Sequence, residues 1–185
     1  MGTIWSWNRP VISTEGNGHV RIEFRAIPAG PTSNDMLANA AFAIGLAVGI
    51  SENIEEMLAV TPFRFAEYNF YRAAQHGLNA NILWPYFHKY RPEEISVVKV
   101  IEQMLPVAEQ GLKSIGIDDS EVYQYLSIIE QRLESKVNGA TWQKETQKHY
   151  EKLMAKDDAS QQTVLKYLEQ CRTCEPVSQW ERPWQ

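Results

Sequence analysis

Between His19 and Ile27 apolar and charged residues alternate strictly: Val20, Ile22, Phe24 and Ala26 interleave with Arg21, Glu23 and Arg25. A period of two predicts a strand with one apolar face turned into a core and one charged face carrying R-x-E-x-R. The preceding Gly2–Ile12 stretch also reads as extended, with Thr3, Trp5, Trp7 and Arg9 on one face, and Ser13–Gly18 (STEGNG) is turn-rich. The pair predicts an antiparallel hairpin with a longish loop. After Gly30-Pro31 the period changes to helical. Thr32 or Ser33 caps a first helix, apolar almost all round and so expected to lie buried in the middle of the domain. A short helix over Asn53–Ala59 follows, then one opened by Thr61-Pro62 and ended by Gly77.

Asn79–Arg91 reads as an aromatic connector. Pro92-Glu93-Glu94 then begins a helical stretch to Ile115 that Pro106 should kink or divide. Asp118 or Asp119 caps the next helix, running to about Val137, with Val122, Leu126, Ile129 and Leu133 as its core face. Thr141 caps a polar helix to Lys156, and Asp157 or Asp158 precedes a last one to about Cys171; the tail EPVSQWERPWQ reads as extended. The expected class is α+β, predominantly α-helical: one domain over 1–185, in which an N-terminal antiparallel hairpin (1–31) packs on about six helices (32–175), with a tail at 176–185.

Composition narrows the function classes. A formal net charge of −5 with no basic clustering disfavours nucleic acid and membrane surfaces as partners. No signal segment opens the chain, and the apolar run Met36–Ile50 is shorter than a bilayer span and carries Asn39, so a cytoplasmic location is expected. Two cysteines make no disulfide framework, and Cys171-x-x-Cys174 lacks the second ligand pair of a zinc site and the strand–helix context of a redox site. His19, His76, His88 and His149 show no metal-ligand spacing, although His76 lies one turn from Arg72. No phosphate-binding glycine loop or nucleophile elbow occurs.

The charged row remains the candidate. Arginines fork onto phosphate oxygens and a glutamate ligates a hard cation, so Arg21, Glu23 and Arg25 suit a metal-bound phosphate. The plainer reading is a solvated face laced by Arg–Glu pairs that contribute little. Arg9, ending the first strand, is open to either.

Four stretches in order, Trp5–Pro10 (WSWNRP), Val20–Arg25 (VRIEFR), Gly30-Pro31-Thr32 with Asp35, and Asn69–Ala80 (NFYRAAQHGLNA), resemble the glutamate–cysteine ligase type 2 group of carboxylate-amine ligases. That group belongs to the glutamine-synthetase-like superfamily. The resemblance covers about the first half of the chain, with a weaker echo at Gly139–Gln143 (GATWQ); Gln75 and Asn79 depart from the group's commoner Arg and Asp. It implies ATP and Mg2+ as cofactors, amino-acid substrates, and amide formation through an acyl phosphate, as in glutathione biosynthesis. Glu23 matches the metal-ligand carboxylate, Arg25 the phosphate-binding arginine and Arg9 the arginine facing ATP or substrate; Arg21 could assist in holding phosphate, and Arg72 has no derivable role. One glutamate cannot hold magnesium–ATP, so the resemblance implies the C-terminal portion of such a ligase, inactive by itself. Its partner would be the N-terminal half or another chain, and its hairpin edge invites pairing with a second copy. The alternative is a non-catalytic helical interaction module from the same group, docking a partner through Trp84–Tyr90 and the tail Trp180–Trp184.

Overall fold

In the computed structural model, which describes residues 7–27, 29–86 and 91–185, the chain divides into two compact units, Met1–Gly30 and Pro31–Gln185. The first is an antiparallel hairpin, β1 (Arg9–Ser13) paired with β2 (His19–Glu23). Its turn closes with the Gly18 amide donating to the Glu15 carbonyl at 3.1 Å, and Gly16 and Gly18 take positive φ values (62° and 73°). A side chain would be strained at both, which is why glycine punctuates this loop. Trp5 and the rest of the tryptophan-rich entry before Trp7 lie outside the described residues.

The second unit is mainly helical: α1 (Ser33–Ile50), α2 (Ile54–Val60), α3 (Phe63–His76), α4 (Val97–Ser114), α5 (Asp119–Ser135), α6 (Gly139–Tyr150) and α7 (Lys156–Cys171). The mostly helical α+β class is therefore found as expected. The described part of the expected connector Asn79–Arg91 is mainly strand. β3 (Asn81–Tyr86) and β4 (Arg91–Ser96) form a second antiparallel hairpin, in register from Asn81 opposite Ser96 to Tyr86 opposite Arg91. Helix α4 accordingly starts at Val97 and not at Pro92. Ile82 and Ile95 sit opposite each other and join Ala80 and Val100 in a small core, so the alternation was present but masked by two prolines. Asn69 ties α3 to this ribbon as a backbone mimic: its amide donates to the Leu83 carbonyl and its carbonyl accepts the Leu83 N–H, both at 2.7 Å. His88, together with the connector's Phe87–Tyr90, lies outside the described residues.

Three further expectations change. Of the kink or division expected at Pro106, the division does not occur: α4 runs through it. The cap of α6 is Asn138, whose side chain accepts the Thr141 amide, and not Thr141. Helix α1 is not the buried centre. Only Asp35, Ala38 and Gly45 are buried on it, while Met36, Leu37 and Ile44 are exposed. The reason is one-sided packing on α4 and α5. A Cβ at Gly45 or Gly49 would collide with the Ala108 or Val107 carbonyl, and one at Gly111 with the Gly45 carbonyl. Backbones approach closely there because three glycines carry no side chain, and Ala38, Leu105, Ala108, Leu112 and the α5 face fill the rest of that core. All four expected α5 core residues, Val122, Leu126, Ile129 and Leu133, are buried, and Ile128 joins them. By length and composition Ser33–Val60 could cross a membrane (mean hydropathy 1.4 over its most apolar window).

Candidate functional site

The register of the first hairpin sets Arg9 directly opposite Glu23 and Val11 opposite Arg21. Opposite residues of an antiparallel pair share a face. Arg9, Arg21 and Glu23 therefore stand together, with Arg25 just past the strand end. Arg9 Nε donates to Glu23 Oε2 at 2.7 Å, and Arg25 Nε lies 3.3 Å from Glu23 Oε1. The Arg25 amide is fixed by Asn8, whose Oδ1 accepts it at 3.1 Å. Both carboxylate oxygens are thus engaged by guanidinium groups. Arg21 turns along the strand to the His19 ring, Nη1 to Nε2 3.2 Å, so it adds charge without touching the carboxylate.

The Glu23 side chain is 40 % exposed. The Arg9 hydrogen bond, reinforced by the charges of Arg9, Arg25 and Arg21, holds its carboxyl below the ordinary 4.5 despite a smaller opposing effect of partial desolvation. Charge-assisted bonds favour the ionised acid. The site residues expected from sequence are therefore brought together: Glu23 flanked by Arg9 and Arg25, Arg21 beside them. The other face differs from expectation. Ile12, Val20 and Ile22 are 76 %, 68 % and 56 % exposed, where a core was expected, because a two-stranded ribbon has no second layer of its own.

The second unit holds a polar centre that the sequence did not announce. Asp35, in the first turn of α1, is fully buried (0 % exposed). Thr32 caps the helix by accepting the Asp35 amide at 3.1 Å and returns a hydroxyl hydrogen bond to Oδ2 at 2.8 Å. Arg132 of α5 reaches Oδ1 at 2.8 Å through Nη2, donates to the Asp35 carbonyl at 2.9 Å and to Asn39 Oδ1 at 2.6 Å. The Val177 amide donates to Oδ2 at 3.1 Å. Every acceptor of the carboxylate is used, so this cluster holds α1, α5 and the C-terminal turn together and leaves no place for a ligand. An arginine set between Ile129 and Leu133, on the apolar face of α5, was the available signal.

Of the remaining candidates, Cys171 and Trp180 have packing roles. Cys171 Sγ donates to the Pro31 carbonyl at 3.0 Å, and burial pushes its thiol pKa up; Cys174 is exposed, and both are free. Tyr167 is pushed up to about 12, mainly by desolvation. Trp180 is buried against Trp142 and Tyr167 in edge-to-face contacts at 5.2 and 5.3 Å, and its indole N–H donates to the Glu175 carbonyl. The tail, folded through a short 3₁₀ turn at Val177–Gln179, is therefore not extended. Its Trp180 and the half-buried Trp84 pack in the chain's own cores. Arg72 and His76 do meet, Nη1 to Nε2 2.9 Å. Among the described residues no group of three or more His, Cys, Asp or Glu side chains could hold a metal ion.

Comparison with protein families, curated proteins and solved structures finds no match to this chain.

Proposed function

We propose that the chain is the C-terminal part of an ATP-dependent carboxylate-amine ligase, of the kind that joins glutamate to an amine such as that of cysteine in the cytoplasm. The observation that carries the reading is Glu23 held between Arg9, opposite it in the hairpin, and Arg25, past the strand end, with Arg21 alongside. The fit to magnesium–ATP is partial. Three guanidinium groups suit phosphate oxygens, whereas Glu23 supplies one oxygen ligand where a magnesium ion bound to a nucleotide takes several. Bound magnesium–ATP would supply a phosphoryl group to activate the substrate carboxylate. Within this chain Arg9 and Arg25 would neutralise charge on the phosphate oxygens, and Glu23 would exchange its arginine contacts for the cation. The remaining carboxylates would come from a partner segment or chain, so the reading gives this chain no turnover by itself.

The test is magnesium-dependent ATP binding by calorimetry, in the chain joined to its sheet-bearing partner, with and without Glu23→Gln. The expected loss is about tenfold or more, with turnover abolished. Undiminished binding and turnover would remove Glu23 from the metal site and leave the arginine–carboxylate face as a surface ion pair. A second reading, a non-catalytic interaction module, is favoured by the exposed apolar residues of α1 (Met36, Leu37, Ile44) and α7 (Val164, Leu165, Leu168). It predicts a stable hetero- or homo-complex that survives Glu23→Gln.

A further inference from the structure

A groove of about 540 Å³ runs between α4 and α5, remote in sequence from the charged hairpin. Its floor is apolar: Leu105, Val122, Leu126 and Leu133 are buried in the core beneath it, and Pro106 and Tyr123 stand exposed on its walls. Its rim carries carboxylates and no cationic lining residue. At one end Lys113, beyond the lining, clamps Glu109 and Asp119 at 2.8 and 3.0 Å. At the other end Glu102, Glu130 and Glu134 are exposed and make no ion pair among the described residues.

Pro106 has no N–H, so the Glu102 carbonyl on the same wall loses its helical donor. The open end thus combines a main-chain acceptor with three carboxylates that form no ion pair among the described residues, Lys99 and Lys136 lining the neighbouring hollow beside Glu102. All of them call for donors and positive charge. From Asp119 to Glu134 α5 spans about 22 Å at the α-helical rise, roughly four turns. That length, an apolar floor and an anionic rim match one type of occupant.

We propose that the α4–α5 groove docks a cationic amphipathic helix. The occupant lays Leu- or Ile-type side chains against the exposed Pro106 and Tyr123, over the floor of Leu105, Val122 and Leu126, and sets Lys or Arg side chains against Glu102, Glu130 and Glu134. Helix-in-groove recognition reads such anchors at helical spacing. Complementary rim charge governs the approach rate and the choice of partner more than raw affinity. The occupant is a segment of another polypeptide. This inference does not rest on the ligase reading, since none of its residues belongs to the hairpin.

The probe is a helical peptide of about four turns with Leu on one face and Lys on the other, labelled for fluorescence anisotropy and titrated with the full 185-residue chain. Saturable binding is expected, weakened about tenfold by Glu130→Lys/Glu134→Lys and independently by Tyr123→Ala. Glu55→Lys/Glu56→Lys, an equal charge change on α2, should leave it within about twofold. Circular dichroism of each variant establishes that it is folded. Three outcomes would overturn the proposal. One is equal binding of a Ser/Lys peptide with the same charge. Another is an equal loss in the α2 variant. The third is a concentration-dependent dimer that Glu130→Lys/Glu134→Lys dissociates, which would make a second copy the occupant.

Discussion

Replacing Arg132 with Met removes the charge that reaches Asp35 from α5 but keeps a flexible apolar side chain of similar length. Asp35 is fully buried and Arg132 nearly so, at 0 % and 13 % side-chain exposure. The substitution leaves a carboxylate inside the protein with only the Thr32 hydroxyl and the Val177 amide to serve it, and it also strips Asn39 Oδ1 of its 2.6 Å donor. Removing one partner of a buried ion pair costs about 3–5 kcal/mol, because the remaining charge stays desolvated. Urea unfolding of a domain this size has a slope of about 2 kcal/mol per molar, so the midpoint should fall by ~1.5–2.5 M. Tryptophan fluorescence reports the transition, since Trp142 and Trp180 lie in the core that Val177 borders.

Asp35→Asn combined with Arg132→Met tests the cause. If the cost is an orphaned charge, the double variant should lose less than the two single losses added together, with a coupling of about 1–3 kcal/mol. A midpoint shift under about 0.5 M for Arg132→Met, or strict additivity in the double variant, would refute the reasoning. It would mean that water or a neighbouring donor reaches Asp35 as easily as Arg132 does.

Gly111→Ala puts a methyl group against the Gly45 carbonyl and Gly49 amide; forcing the helices apart should cost about 1–3 kcal/mol, read as a lower thermal midpoint, and an unchanged midpoint would contradict the close α1–α4 approach. The Glu23 carboxyl should titrate below 4.5, followed by carboxyl carbon NMR, and should rise towards that value in Arg9→Met. Because its folded pKa is lowered, whatever Glu23 contributes to hairpin stability is present above pH 4.5 and fades as the pH falls through the lowered value. An ordinary value that ignores Arg9→Met would detach the two side chains.

Local pattern carried much of this molecule. The strict alternation placed Arg21 and Glu23 on one strand face, and the turn glycines marked the partner strand on which Arg9 falls opposite Glu23. Arg25 lies beyond the strand's end at Glu23 and not within a strand to Ile27 as expected. Periodicity of 3.6 found the α5 core face, and Gly77 and Thr32 marked helix ends where backbone geometry or a side-chain cap requires such residues. These signals act over a few residues, so a linear reading captures them. The second hairpin escaped because Pro85 and Pro92, paired opposite each other, obscure a strand pattern that only cross-strand partners and the Asn69 clamp make favourable.

Tertiary structure alone decided the rest. Asp35 looked like an ordinary first-turn acid until Arg132, 97 positions along the chain, closed on it. The apolar girth of α1 suggested full burial, but glycine-to-backbone contact with α4 spends one face and leaves Met36, Leu37 and Ile44 outside. The acidic rim of the α4–α5 groove likewise exists only once two helices are set side by side. Hydrophobic period and capping are properties of neighbouring residues, whereas a buried charge pair, a close helix crossing and a groove depend on distances between segments that no local pattern encodes.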